Sequence, residues 1–304
     1  MEIVSYFKAL PIPMTLVYGH YLPSDYLERT DTLRALSQTC RLWRNTFFPL
    51  LWQRLETCAT HSQSGAWYQV FGESLIRKSF LVTENPEIAA HVRSMSVILS
   101  RYSTSTVLPA FIRAIEALPS LTTLQILSAH HKMTTSLKKA FEGHVFPQVK
   151  TVVVPSYAHN ILRSCPEVKR VICINHDASK LVSAIAKECK KVEELEGFYG
   201  NESSMKRLAK ATPNLRSIKF TVFMPAAHLQ PLTTLKHVSH ITLISNCELE
   251  DAALKHPQNS ASIKLAKDII RKSEGRKSLV LEYKAWNYSQ ASYIQWSRNI
   301  SIDT

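Results

Sequence analysis

The side chains that could do chemistry in this sequence are twelve histidines, six cysteines and a surplus of basic over acidic groups. His237 and His240 form H-x-x-H. On a strand, however, side chains alternate, so a separation of three sends the two rings to opposite faces and they cannot share a metal ion. His130-His131 and His176-Asp177 stand apart from further ligands. The cysteines, at 40, 58, 165, 173, 189 and 247, never form C-x-x-C, the common spacing of zinc and redox sites. Without a histidine placed to activate it, Cys40 is expected to be a small buried hydrophobe. There is no H-E-x-x-H, G-x-S-x-G or Walker loop, and seven glycines leave little material for phosphate-cradling turns. Gly197 and Gly200 make a lone G-x-x-G without the module that clamps RNA. The expectation is a non-enzymatic protein with no cofactor and no metal.

Charge is the stronger signal. The 304 residues carry 37 basic and 24 acidic side chains, a formal net charge of +13. Residues 1–65 hold 6 basic and 5 acidic groups and the remainder holds 31 and 19, so the surplus belongs to the later part. Such a surface attracts acidic partners. The clusters Lys138/Lys139, Lys187/Lys190/Lys191, Lys206/Arg207/Lys210 and R-K-S-E-G-R-K at 271–277 could follow a phosphate backbone. Most of them sit beside acidic neighbours on expected outer helices, which favours a solvated, ion-paired face over nucleic-acid binding. The apolar opening, M-E-I-V-S-Y-F-K-A-L-P-I-P, is broken by Lys8 and two prolines well short of a membrane span of ~20 residues. Neither a signal region nor paired cysteines are evident, and the cytoplasm or nucleus is the expected location.

The elements that must position these groups follow from periodicity. At 45% hydrophobic, the chain can bury a core. An apolar stripe of Leu33, Leu36, Cys40, Trp43 and Phe47 predicts a helix over about 31–47, with Thr30 or Asp31 as N-cap and Pro49 as its end. Leu50, Leu51, Trp52 and Leu55 follow at once, and so dense an apolar cluster must meet another element or a partner. Residues 57–72, rich in Ser, Thr and Gln, read as a connection. After them the pattern apolar-x-x-apolar-x-apolar recurs, beginning at Val92, Leu121, Val149, Val168, Val192, Leu215 and Val238. The steps are 29, 28, 19, 24, 23 and 23 residues, with helical stretches between. That is the signature of a leucine-rich repeat, whose units must stack to bury their apolar faces. A doubly wound α/β domain also alternates strands with helices, but the short period fits a solenoid better. The Asn that usually follows the hexamer is missing, so the repeats are degenerate. Helices near 249–256 and 260–274 and a strand at S-L-V-L-E-Y close the chain.

Within residues 9–56, Leu10 and Pro11, then Leu33, Leu36, Cys40, Arg41 and Trp43, then Leu51 and Trp52, resemble the F-box motif. In that family a Leu-Pro pair opens the motif, and a helix ending in C-R-x-W leads to L-W-x-x-L. The sequence departs from the family between Leu-Pro and that helix, where Pro13, Gly19 and Pro23 stand in a longer segment. The resemblance implies docking onto a Skp-type adaptor of a cullin-RING ubiquitin ligase through Leu10, Pro11, Leu33, Leu36, Cys40, Trp43, Leu51 and Trp52. It implies that the repeats act as substrate receptor, the protein serving as a monomer within the complex. Trp43 and Trp52 could equally cap the first apolar face of the solenoid.

The expected architecture is therefore α/β: a small helical F-box-like block at 9–56, a connection at 57–89 and a leucine-rich-repeat solenoid at 90–304, with parallel strands inside and helices outside. Alternation along each hexamer puts its third and fifth residues on the concave face. With the second positions at the rim, this assigns Arg93, Lys150, Lys169, Arg170, Arg216, Lys219 and His240 to an acidic or phosphorylated protein segment.

Overall fold

Each of the seven hexamers carries a strand, which begins at its third residue. The computed structural model describes residues 27–58, 66–174, 179–287 and 292–302, and the chain divides into two compact units, Met1–Glu167 and Val168–Thr304. In the first unit the described elements are α1 (Glu28–Thr39), α2 (Arg41–Trp52), β1 (Arg54–Glu56), α3 (Trp67–Glu84), α4 (Pro86–His91), β2 (Ser94–Leu99), α5 (Thr104–Glu116), β3 (Thr123–Ala129), α6 (Thr134–Phe141) and β4 (Thr151–Val154), followed by a 3-10 helix, Ser156–Ser164. The second unit holds β5 (Arg170–Cys173), α7 (Ser179–Glu188), β6 (Glu194–Glu196), α8 (Glu202–Ala211), β7 (Ser217–Lys219), α9 (Ala226–Leu229), a 3-10 turn (Gln230–Thr234), β8 (His240–Ile244), α10 (Glu250–Lys255), α11 (Pro257–Arg271), β9 (Ser278–Asn287) and β10 (Ser292–Ile300).

In each unit the strands pair in chain order and in parallel, β1 to β4 in one and β5 to β9 in the other; β10 runs antiparallel to β9. A doubly wound sheet reverses its strand order at a switch point. Neither unit does. The registers place equivalent hexamer positions side by side: Ser94, Thr123 and Thr151 in the first unit, and Arg170, Glu194, Ser217 and His240 in the second. A recurring main-chain contact holds that register. At five of the second positions the carbonyl accepts two N–H groups from the next hexamer, among them Arg93 from Thr122 and Thr123, Lys169 from Glu193 and Glu194, and Arg216 from Ser239 and His240.

The first and fourth hexamer residues are all buried, from Val92 and Met95 to Val238 and Ile241. The third residues are half-buried or exposed. A parallel sheet is ordinarily covered on both faces and reads as continuous apolar runs. Here one face is packed under helices and the other presents its polar third-position side chains to solvent; of the fifth positions expected beside them, Ser96, Val153 and Ile172 are buried, which corrects their placement on an open face. The sixth position is apolar except at Gly197, whose φ of +78° and closeness to the Cys173 carbonyl exclude a side chain.

Several expectations are corrected. The helix over 31–47 is two helices, because Cys40 is extended (φ −156°, ψ 169°), ending α1 and starting α2. One straight helix would leave its apolar stripe uncovered, whereas folding back lets α1 and α2 pack, with Leu33 and Leu51 buried. No side chain caps α1, so neither Thr30 nor Asp31 is its N-cap. Pro49 lies inside α2, which continues to Trp52. The expected connection at 57–72 gives way to α3 from Trp67, with Phe71 and Gly72 buried. One of the helical stretches expected between hexamers, Ser156–Ser164, forms a 3-10 rather than an α-helix, and His176 and Asp177 lie outside the described residues.

Candidate functional site

The residues that resemble the adaptor-binding motif divide between core and surface. Leu10 and Pro11 lie outside the described residues. Leu33 and Leu51 are core side chains, and Leu36 and Trp52 are half-buried. On one side of α2, Phe48 stacks edge-on against Trp52 and against His91 of α4, with ring centroids 6.2 and 6.0 Å apart. Arg44 lies over the Phe48 ring at 5.2 Å, a cation–π contact. The start of α2 faces solvent instead: Arg41 through Thr46 are all exposed. Leu42 is 72% and Trp43 42% accessible, and Trp43 meets Phe47 edge-on at 5.8 Å. The two tryptophans expected to act together are thus separated, Trp52 turned inward and Trp43 outward. Cys40 is exposed, which corrects its assignment as a buried hydrophobe; as the extended residue between two helices it has no core to enter.

Beneath this face a charged cluster ties α1, β1 and α3 together. Arg29, 4% accessible, donates from Nη2 to the Leu50 carbonyl at 2.7 Å, near the C-terminal end of α2. Lys78 of α3 donates from Nζ to the Glu56 carbonyl. Burial raises the Glu56 carboxyl above the ordinary carboxylate range and lowers Lys78 and Arg29, opposed by the attraction among these groups. Burial also pushes the neighbouring Cys58 thiol up to about 12. A buried cluster of this kind fixes geometry more than it stabilises, because desolvation offsets much of the attraction.

On the open strand face, the basic residues expected to meet an acidic segment are mostly paired with carboxylates of the chain itself. Lys169 Nζ lies 3.1 Å and Arg216 Nε 3.8 Å from Glu193. Arg170 reaches Glu194 at 3.6 Å and Glu196 at 3.1 Å. Lys219 spans from β7 to Glu282 of β9 at 2.9 Å. In the first unit Lys150 lies 3.7 Å from Glu167 and donates to the Pro147 carbonyl at 2.9 Å. Arg93 is exposed, with no ion pair among the described residues. His240 Nδ1 lies 2.7 Å from the Ser239 hydroxyl. In the second unit Lys169, Arg170, Arg216 and Lys219 are therefore paired within the chain rather than left as an open basic surface.

Three further lysines with no ion pair among the described residues, Lys206, Lys210 and Lys236, line a cleft that the spacing of residues did not reveal. It lies in the second unit between α8 and the Gln230–Thr234 turn and has a volume of about 760 Å³. The run Lys206/Arg207/Lys210 was its visible trace in the sequence. Arg207 itself is used between helices, donating to the hydroxyls of Ser179 and Ser183 on α7 at 3.2 and 2.7 Å.

Among the described residues no three His, Cys, Asp or Glu side chains are grouped to hold a metal ion, and no helix is long and apolar enough to cross a membrane. Comparison with protein-family models and with curated proteins gives no match for this chain.

Proposed function

We propose that the protein is a non-catalytic substrate receptor, docking onto a Skp-type adaptor of a cullin-RING ubiquitin ligase and holding a protein substrate for ubiquitin transfer. It would act in the cytoplasm or nucleus. The observation that carries this reading is the start of α2, where Leu42 and Trp43 stand in solvent while the opposite side of the helix is packed against α4. Large exposed apolar side chains beside each other mark an interaction surface, and tryptophan is among the residues that anchor such surfaces. Trp43 is also the last residue of the C-R-x-W element. The parallel strands, in chain order with one polar face open, support a repeat-array receptor behind that surface. The receptor contributes proximity alone, raising the local concentration of substrate at the ligase.

The test is co-expression of the full chain with a Skp-type adaptor, followed by affinity capture and size-exclusion chromatography. A one-to-one complex is expected, lost in the Leu42→Ala/Trp43→Ala variant, whose thermal melting should match the parent because both residues are exposed. Failure of the parent chain to capture the adaptor, or capture undiminished by the double substitution, overturns the proposal and leaves a repeat scaffold without adaptor binding.

A further inference from the structure

We propose that the cleft beside α8 is a docking site for an acidic or phosphorylated peptide segment carrying an apolar anchor. It goes beyond the receptor reading and does not depend on adaptor binding. Three observations converge on it.

The first is its shape and apolar lining. The apolar part of its lining includes Ala209 and Leu235, both buried, with the exposed Pro213 beside them. Its volume of about 760 Å³ lies within the roughly 300–1,000 Å³ typical of sites that bury a bound group. The second is its rim. Lys206 and Lys210, one helical turn apart on α8, share a face, and Lys236 stands across from them. All three are exposed, and none makes an ion pair or hydrogen bond among the described residues. Glu202 at the start of α8 is the single carboxylate in the lining. The contrast with the strand face is direct, since there Lys169, Arg170, Arg216 and Lys219 each have a carboxylate within 4.0 Å.

The third observation is continuity. Past Asn214 and His237 the cleft continues into a basin of about 220 Å³ lined by Lys169, Lys191, Glu193 and Arg216. An extended segment lying along both would set its anionic groups against Lys206, Lys210 and Lys236 and an apolar side chain on Ala209 and Leu235. Charge complementarity of this kind governs encounter and register more than affinity alone.

A protein segment is favoured over single-stranded nucleic acid by what the cleft lacks. Proteins that bind such strands combine a basic groove with aromatic platforms for successive bases. Neither the cleft nor the basin has a Phe, Tyr or Trp in its lining.

The experiment measures fluorescence anisotropy of the full chain with a labelled peptide in which glutamates flank a central leucine pair. A second peptide replaces the glutamates by phosphoserines, a third replaces the leucines by asparagines, and an oligouridylate of equal net charge serves as rival. The expected result is saturable binding of an acidic peptide that weakens with added salt. Lys206→Glu/Lys210→Glu should weaken it at least tenfold. Lys255→Glu/Lys264→Glu, an equal charge change on exposed residues of α10 and α11, should change it less than twofold. Loss of the leucines should weaken it about fivefold. Four outcomes each overturn the proposal: no saturable binding of either acidic peptide below about 1 mM, equal loss in both double variants, indifference to the leucines, or tighter binding of the oligouridylate. Thermal melting of both variants confirms that the fold is retained.

Discussion

Replacing Gly197 with Ala should destabilise the protein by about 3 kcal/mol, and the figure can be built from two separable parts. The backbone there is left-handed, with φ +78°; a non-glycine residue in that conformation costs about 1–2 kcal/mol. A Cβ would also stand 2.0 Å from the carbonyl oxygen of Cys173. That oxygen belongs to the main chain of β5, one strand away in the Ile172–Glu196 register, so relief requires moving β5 against β6. Forcing atoms into a packed site costs about 1–3 kcal/mol. The reduced freedom of an alanine in the unfolded chain returns about 0.4–1 kcal/mol. Gly275, in the same unit, supplies the control: its φ is +87° with nothing within 4 Å of an added Cβ. Gly275→Ala should therefore carry the conformational part alone, about 1 kcal/mol. Urea unfolding followed by far-UV circular dichroism reads both. With a slope of about 2 kcal/mol/M, the midpoint should fall by about 1.5 M for Gly197→Ala and about 0.5 M for Gly275→Ala. Midpoints for the two variants within about 0.25 M of each other would refute the reasoning, because the strand contact would then contribute nothing.

Two further measurements test the first unit. Lys78→Met should lower stability by about 1–3 kcal/mol at neutral pH, since it strips a donor from the Glu56 carbonyl and leaves the raised Glu56 carboxylate with less compensation. The Glu56 carboxyl titrates above its unfolded value, so its contribution is full at low pH and is lost as pH rises through the folded value; with Lys78 gone that loss should steepen above pH ~4.5 in denaturant titrations. Thiol labelling of the native protein at pH 8 should modify Cys40 first, because it is exposed, while Cys58 and Cys189 resist until unfolding, their thiols being buried and pushed up to about 12.

The strands were legible because a half-buried strand writes its own period. At each hexamer the first and fourth residues are apolar and buried, whether Val92 and Met95 or Leu215 and Ile218. The helices S-L-K-K-A-F, S-K-L-V-S-A-I-A-K-E and S-S-M-K-R-L-A-K-A were legible for the same reason. What the sequence concealed depends on packing between distant parts. The break at Cys40 is set by how α1 and α2 fold onto each other, and Cys40 carries no local signal such as Gly or Pro. The start of α3 hides in a polar run because its anchor, Phe71, is buried against Ile98, Leu127, Cys58 and Leu27, most of them remote in the chain. Strand β10 pairs with β9 only through a return of the chain after Asn287. The charged site fails to be legible in an instructive way: Lys169, Arg170, Arg216 and Lys219 were correctly placed on the strands or their rim, but the spacing of residues did not show that Glu193, Glu194, Glu196 and Glu282 would arrive alongside them.

Those cross-strand ion pairs make the order of the strands chemically specific. Arg170 faces Glu194 and Lys169 faces Glu193, so the segment with two cations at and just before β5 is followed by one with three carboxylates at and just before β6, and Arg216 then turns back toward Glu193. Like charges set directly opposite on a sheet are unfavourable. Exchanging the segments that carry β6 and β7 would move the three carboxylates one place from Arg170, while duplicating the β6 segment would set Glu194 against a copy of itself. The first and fourth positions would accept either rearrangement, since every hexamer fills them with buried apolar residues. Charge, together with the close approach at Gly197, distinguishes one hexamer from the next, so each strand is addressed to its neighbour, and the chain has a grammar of succession that its apolar period does not express.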